Sequence, residues 1–169
     1  MTSCYVYILE SKENSRHSYI GYTVNMERRI RQHNGDLKTG GARRTRAHRP
    51  WRIAAMITAD PIWFDKIAAQ QLEWALKFYS KTCLVNKRAK PFQFHSHPKI
   101  SQRLNGLWFL FNSKNQWTKR SPLFSNQKMT IYLANPFQSL HTTAKFSQSR
   151  FWKPSVQLFP SDLLERSTI

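Results

Sequence analysis

Arg29 and His33 stand four residues apart, a spacing that brings both onto one face of a helix. An arginine there offers a permanently charged, forked donor that can grip two oxygens of one phosphate. Glu73 offers a hard carboxylate oxygen of the kind that binds Mg²⁺ or Mn²⁺, with waters and phosphate oxygens completing an octahedron. Tyr7 and Tyr19 add phenols, which with a pKa of about 10 are poor bases near neutrality unless nearby cations lower it. Each residue also has a plainer reading. Glu73 suits a solvated helix carboxylate, the tyrosines suit packed strand aromatics, a lone histidine is usually structural, and Arg28, Arg29 and Arg31 suit an exposed basic helix face.

A loop from Gly35 to Pro50 follows, leading into Trp51. Lys38, Arg43, Arg44, Arg46, Arg49 and Arg52 lie in or beside it, around Gly40 and Gly41, with only Asp36 to oppose them. Glycines let backbone approach closely, and a nest of amides can hold a phosphate, so this segment is expected to contact a DNA backbone. The alternative is a solvated, mobile loop.

These residues must be positioned by a small set of elements. Cys4 to Leu9 alternate as a strand, with Cys4, Val6 and Ile8 on one face and Tyr5, Tyr7 and Leu9 on the other. Ser18 to Tyr22 reads as a second strand, paired antiparallel with the first, so that Tyr7 and Tyr19 share a face. Asn25 is a good N-cap for a helix to about Asn34, and Gly35 ends it. Trp51 to Thr58 resumes as a strand, and Pro61 is expected to open a helix to about Ser80. On that helix Phe64, Ala68, Leu72, Ala75 and Tyr79 follow one buried face.

Beyond Lys81 the composition shifts, with no Asp or Glu from Trp74 to Pro160 while Lys and Arg continue. Leu104, Leu107, Trp108 and Phe111 predict a short amphipathic helix, and Met129, Ile131 and Leu133 a strand. We therefore expect a catalytic unit over residues 1–82, a basic extension over 83–135 and a loosely ordered basic tail over 136–169, which carries Lys145, Arg150, Lys153 and Arg166. His95 and His97 suggest a metal pair, although a surface loop is the simpler reading.

The 169 residues carry 27 Lys+Arg against 9 Asp+Glu, a formal +18, which points to a polyanionic partner. Nucleic acid fits best, because each neutralised phosphate releases condensed counterions; membranes and acidic proteins fit less well. Cys4 and Cys83 are too few for a zinc cluster, and no C-x-x-C pair occurs. No signal peptide is seen, nor an apolar run near the roughly 20 residues of a membrane span. The expectation is an intracellular protein, nuclear or cytoplasmic, without a membrane partner.

Taken in order, Val6-Tyr7-Ile8, Tyr19-Ile20-Gly21, Arg29, His33 and Glu73 resemble the motif of the GIY-YIG nucleases. Gln32-His33-Asn34, Gly40-Gly41-Ala42, Thr45, Arg49-Pro50-Trp51 and Leu72-Glu73-Trp74-Ala75 further resemble the Slx-type members, catalytic subunits of a eukaryotic structure-selective endonuclease, and the likeness extends over about residues 4 to 135. Tyr5 stands where the family name has its first glycine. The zinc-binding RING module by which Slx-type subunits dock on a scaffold protein cannot be built from two cysteines, so scaffold dependence does not carry over, while a scaffold protein stays open as a partner.

What the resemblance implies is an α/β fold, with a small, mainly antiparallel three-stranded sheet flanked by helices and followed by the basic α/β extension. It further implies hydrolysis of DNA near a branch point with Mg²⁺ or Mn²⁺. Such hydrolysis needs an activated water and stabilised phosphoryl charge. Tyr7 would take the water's proton, Tyr19 would orient Tyr7 or the phosphate, Arg29 would be the catalytic arginine, and His33 would polarise a tyrosine or bind phosphate. Glu73 would hold the metal. A less selective nicking or homing-type nuclease, or an inactive DNA-binding protein on the same fold, remain alternatives.

Overall fold

The computed structural model describes residues 2–62, 64–83, 93–94, 99–113, 116–123, 128–134 and 155–158. His95, His97 and the four cations of the tail lie outside the described residues. Strands β1 (Tyr5–Ser11) and β2 (Ser18–Thr23) form an antiparallel hairpin, in which Tyr7 faces Gly21 and Leu9 faces Tyr19 across the ladder. Helix α1 (Met26–Asn34) begins where the Asn25 side chain accepts the Arg28 N–H at 2.8 Å. A cap of this kind contributes about 1 kcal/mol. At the other end, Gly35 in the left-handed region lets two N–H groups, its own and that of Asp36, reach the Arg31 carbonyl.

After a short 3-10 turn at Arg43–Thr45, strand β3 (Trp51–Ala59) pairs antiparallel with β1, through a bulge at Ile8/Leu9. Helix α2 (Lys66–Lys81) starts later than Pro61. Its first turn is capped by the Asp65 carboxylate, which accepts the Ala68 N–H at 2.8 Å, whereas Asp60 and Pro61 form a separate turn closed by Phe64 N–H on the Asp60 carbonyl. Asp65, one residue before the helix, satisfies a donor that Pro61 has no group to satisfy. Two-residue strands β4 (Thr82–Cys83) and β5 (Gln93–Phe94) pair with each other. Then come helix α3 (Ile100–Ser113) and strands β6 (Met129–Leu133) and β7 (Ser155–Leu158).

The expected mainly antiparallel sheet flanked by helices is present, but it has five strands rather than three, in the order β2-β1-β3-β6-β7. Strand β6 extends the free edge of β3 in antiparallel register, Ala55 against Leu133 and Ile57 against Ile131. The apolar alternation of Met129, Ile131 and Leu133 lets it continue the same buried face. Parallel to β6 runs β7, so residues 155–158 of the expected loose tail belong to the sheet.

Each sheet face has its own core. Cys4, Val6, Ile8, Ala55 and Ile57 pack with Leu72, Ala75 and Leu76 of α2 and with Leu104, Leu107 and Phe111 of α3. On the opposite face Tyr7 and Leu9 pack with Met26 and Ile30 of α1 and with Trp51, Ile53 and Met56 of β3. The β1 alternation thus divides the two cores as its sequence predicts. No described helix is long and apolar enough to cross a membrane.

Candidate active site

Tyr7 lies on the face of β1 that meets α1, and its side chain is 1% exposed. Gly21 across the ladder makes room for it: a Cβ there would collide with the Tyr7 hydroxyl and crowd the Tyr19 ring. The phenol oxygen lies 2.8 Å from His33 Nε2, and His33 Nδ1 lies 2.8 Å from Thr45 Oγ1. Thr45 has a single hydroxyl hydrogen, and it donates this to the Ala42 carbonyl at 2.8 Å. With the Thr45 hydroxyl on the Ala42 carbonyl, Thr45 accepts from Nδ1–H and Nε2 accepts from the Tyr7 O–H.

Electrostatics agree with this protonation. Burial, reinforced by Arg29 and Arg49, holds the His33 imidazole down to about 4, so it is neutral near pH 7. Burial also pushes the Tyr7 phenol well above its ordinary value, against the opposing pull of Arg29. Tyr19 is raised too, chiefly by burial and then by Glu73, with Arg29 and Arg44 opposing. For both phenols desolvation outweighs the pull of the arginines.

Tyr19 sits with its ring centroid 6.3 Å from Tyr7 and 5.1 Å from His33. The Lys77 ammonium is 5.8 Å from the Tyr19 ring centroid and donates to Glu73 Oε1 at 2.6 Å, which places the carboxylate beside the phenols. Arg29 anchors Nη1 on Gln32 Oε1 at 3.0 Å, while its buried Nε has no hydrogen-bond partner. An orphaned guanidinium N–H within electrostatic reach of both tyrosines is suited to a phosphate oxygen. The structure thus brings Tyr7, Tyr19, Arg29, His33 and Glu73 together from β1, β2, α1 and α2.

The expected DNA-contacting residues divide into two groups. Lys38, Gly40, Arg43, Arg44 and Arg46 are exposed, and Gly41 is partly so. Gly40 and Gly41 have positive φ, and a Cβ on Gly41 would strike the Gln32 backbone, so the loop lies directly on α1. Arg49 and Arg52 are engaged within the fold. Arg49 donates Nε to the His33 carbonyl at 2.6 Å, and Arg52 bonds Glu10 Oε2 through Nε at 2.9 Å and Nη2 at 2.6 Å, opposite it in the ladder. Asn34 joins α1 to β3 by accepting the Trp51 N–H at 2.7 Å and donating to its carbonyl at 3.2 Å.

Two members of the site had no role assigned from sequence. Lys77 was detectable as the partner four residues after Glu73 on one helix. Thr45 lies twelve residues from His33 in the short 3-10 turn, and no periodicity relates them. Among the described residues no three or more His, Cys, Asp or Glu gather, so Glu73 would stand as the single protein carboxylate for a cation. That donor set fits a hard ion that keeps most of its waters and does not fit a closed zinc site.

A β-hairpin carrying Tyr7 and Tyr19, a helix carrying Arg29 and His33 over one sheet face, and a second helix carrying Glu73 define the GIY-YIG type of α/β domain. The family described as GIY-YIG catalytic domain matches residues 3–88, and the chain belongs to it. It is 33% identical over 132 residues to the structure-specific endonuclease subunit SLX1 of Candida dubliniensis, covering 77% of this chain and 45% of that protein. To the subunit of the same name from Yarrowia lipolytica it is 46% identical over 85 residues, 49% of this chain and 28% of the relative. The homolog from Cryptosporidium parvum is 44% identical over 83 residues, 49% of this chain and 19% of the relative. The chain thus spans less than half the length of each of these relatives.

Proposed function

We propose that the chain is a divalent-metal-dependent endonuclease that hydrolyses DNA phosphodiester bonds near branch points such as flaps and junctions. The observation that carries this reading is the chain of buried contacts from Tyr7 through His33 and Thr45 to the Ala42 carbonyl, set beside Arg29 and Glu73. The substrate phosphate seats on Arg29, where Nε lacks a partner. Tyr7 accepts a proton from the attacking water as its own proton passes to His33 Nε2. The water oxygen bonds to phosphorus, the bond to the leaving strand breaks, and the leaving oxygen takes a proton from solvent water. Thr45 keeps the resulting imidazolium oriented through Nδ1–H. The bound phosphate offsets the Arg29 and Arg49 charges that depress His33, and so raises its proton affinity when it is needed. Tyr19 packs against both members of the relay and holds their geometry.

Glu73, with waters and phosphate oxygens, would hold Mg²⁺ or Mn²⁺, which when bound supplies Lewis-acid stabilisation of the phosphoryl charge. Branch selectivity and a protein partner are supported by the relatives' names, structure-specific endonuclease subunit. The test is cleavage of labelled flap and four-way junction DNA beside linear duplex of the same sequence, with Mg²⁺ or Mn²⁺ and then with chelator. Branched substrates should be cut in preference, and chelation should stop cutting. Equal cutting of linear duplex would replace branch selectivity by a less selective nicking activity, and absence of cutting with either ion would overturn the enzymatic reading.

A further inference from the structure

Arg103 on α3 is 5% exposed, yet no carboxylate pairs with it among the described residues. Its Nε donates to Ser18 Oγ at 3.0 Å, at the start of the strand that carries Tyr19. Burial and the charge of Arg44 pull its pKa down to about 10. Keeping an uncompensated cation out of water is costly, and such groups are retained where an anion completes them. Beside Arg103 opens a recess of about 200 Å³, lined by Arg44, Lys77 and Lys81 together with Ser18 and Tyr19, and by no acid. The cations come from the glycine-containing loop, α2 and α3, so the basic extension supplies the most buried of them.

We propose that this recess is a second phosphate site, which takes an internal backbone phosphate of the same strand whose scissile phosphate is held at Arg29. The inference rests on the nucleic-acid reading above. Tyr19 borders the recess and lies within electrostatic reach of Arg29, so a strand lying over Tyr19 presents one phosphate to Arg29 and another to the recess. Ser18 holds the Arg103 guanidinium at Nε, which leaves the Nη groups for the phosphate.

Thermal unfolding of the full chain is followed in inorganic phosphate and in chloride of equal ionic strength, for wild type, Arg103→Lys, Arg103→Met and Lys81→Gln. Phosphate should raise the wild-type midpoint, since a ligand of the native state stabilises it. Arg103→Met and Lys81→Gln should lose much of that rise, and Arg103→Lys should keep most of it. Without phosphate, Arg103→Met should unfold no earlier than wild type, because it removes an uncompensated charge. DNA binding in chelator should then show the slope of log affinity against log salt reduced by about 0.9 in Arg103→Met on duplex. Removing terminal 5′-phosphates from the DNA should leave that difference in place, and its disappearance would overturn the internal-phosphate assignment. An equal phosphate rise in all four proteins would overturn the site. So would an Arg103→Met protein that is destabilised or unfolded while Lys81→Gln keeps the full rise. A phosphate rise that depends on Arg103 in a protein that does not bind DNA would keep the recess as an anion site and overturn the nucleic-acid reading.

Discussion

Burial holds the Tyr7 phenol well above its ordinary value, so the proposed relay depends on His33 taking its proton. Tyr7→Phe should remove cleavage and also cost about 1–3 kcal/mol in urea unfolding, because His33 Nε2 loses its donor in a buried place. Arg29→Ala and Glu73→Gln should each lower the single-turnover rate at least about a hundredfold while leaving the fold and most DNA affinity intact. Each removes one charge from a chain with a formal +18. The pH dependence follows from His33, whose folded pKa of about 4 lies below its ordinary 6.5. The folded protein therefore binds fewer protons there than the unfolded chain, and the stability linked to His33 is full above about pH 6.5 and lost as pH falls toward 4. At about 1.4 kcal/mol per pH unit this amounts to roughly 3 kcal/mol. Urea unfolding at pH 7 and pH 4 should show that loss in wild type and not in His33→Gln. Because neutral His33 is the acceptor, kcat/KM should show no inflection near 6.5 and should decline only toward pH 4.

Three elements hold the relay in place, the β1–β2 hairpin, α1 and the loop that carries Thr45. Gly21→Ala adds a methyl where the Tyr7 hydroxyl lies, and should reduce the single-turnover rate about a hundredfold, the scale of an ångström-sized displacement. Circular dichroism should show the sheet retained. Thr45→Val removes the acceptor of His33 Nδ1–H and should lower the rate at least about tenfold, with Thr45→Ser restoring it; full activity in Thr45→Val would contradict the assigned tautomer. Much of this scale was legible in the sequence. Alternation at Cys4 to Leu9 separated the two cores, Asn25 and Gly35 marked the ends of α1, and the i,i+4 spacing set Arg29 and His33 together. What local patterns could not supply were contacts between distant segments. The pairing of β6 with β3, the bond from Arg103 to Ser18 across 85 positions and the contact of Thr45 with His33 depend on which edges and loops the fold leaves adjacent. The start of α2 was displaced because Pro61 is a generic helix opener, whereas the Asp65 cap is decided by one specific bond.

At the scale of the whole molecule, the β1–β2 hairpin and the basic extension share one core. Leu104, Leu107, Leu110 and Phe111 of α3 are fully buried with α2 and β1, and each such side chain contributes roughly 1.5–3 kcal/mol of burial. A fragment of residues 1–82 should therefore lack cooperative unfolding and should aggregate, as read by thermal melts and sedimentation; a monomeric fragment with a sharp transition would mark those residues as an independent unit. The excess of cations makes binding strongly salt-dependent, so cleavage must be compared at saturating enzyme to separate chemistry from affinity. The most direct measurement is single-turnover cleavage of a labelled flap or four-way junction in Mg²⁺, with wild type and Glu73→Gln both shown to be saturated by binding titration. Wild type should cut near the branch, and Glu73→Gln should bind as tightly or more tightly and cut at least about a hundredfold more slowly. Cutting by Glu73→Gln at the wild-type rate would contradict the assignment of this site to hydrolysis.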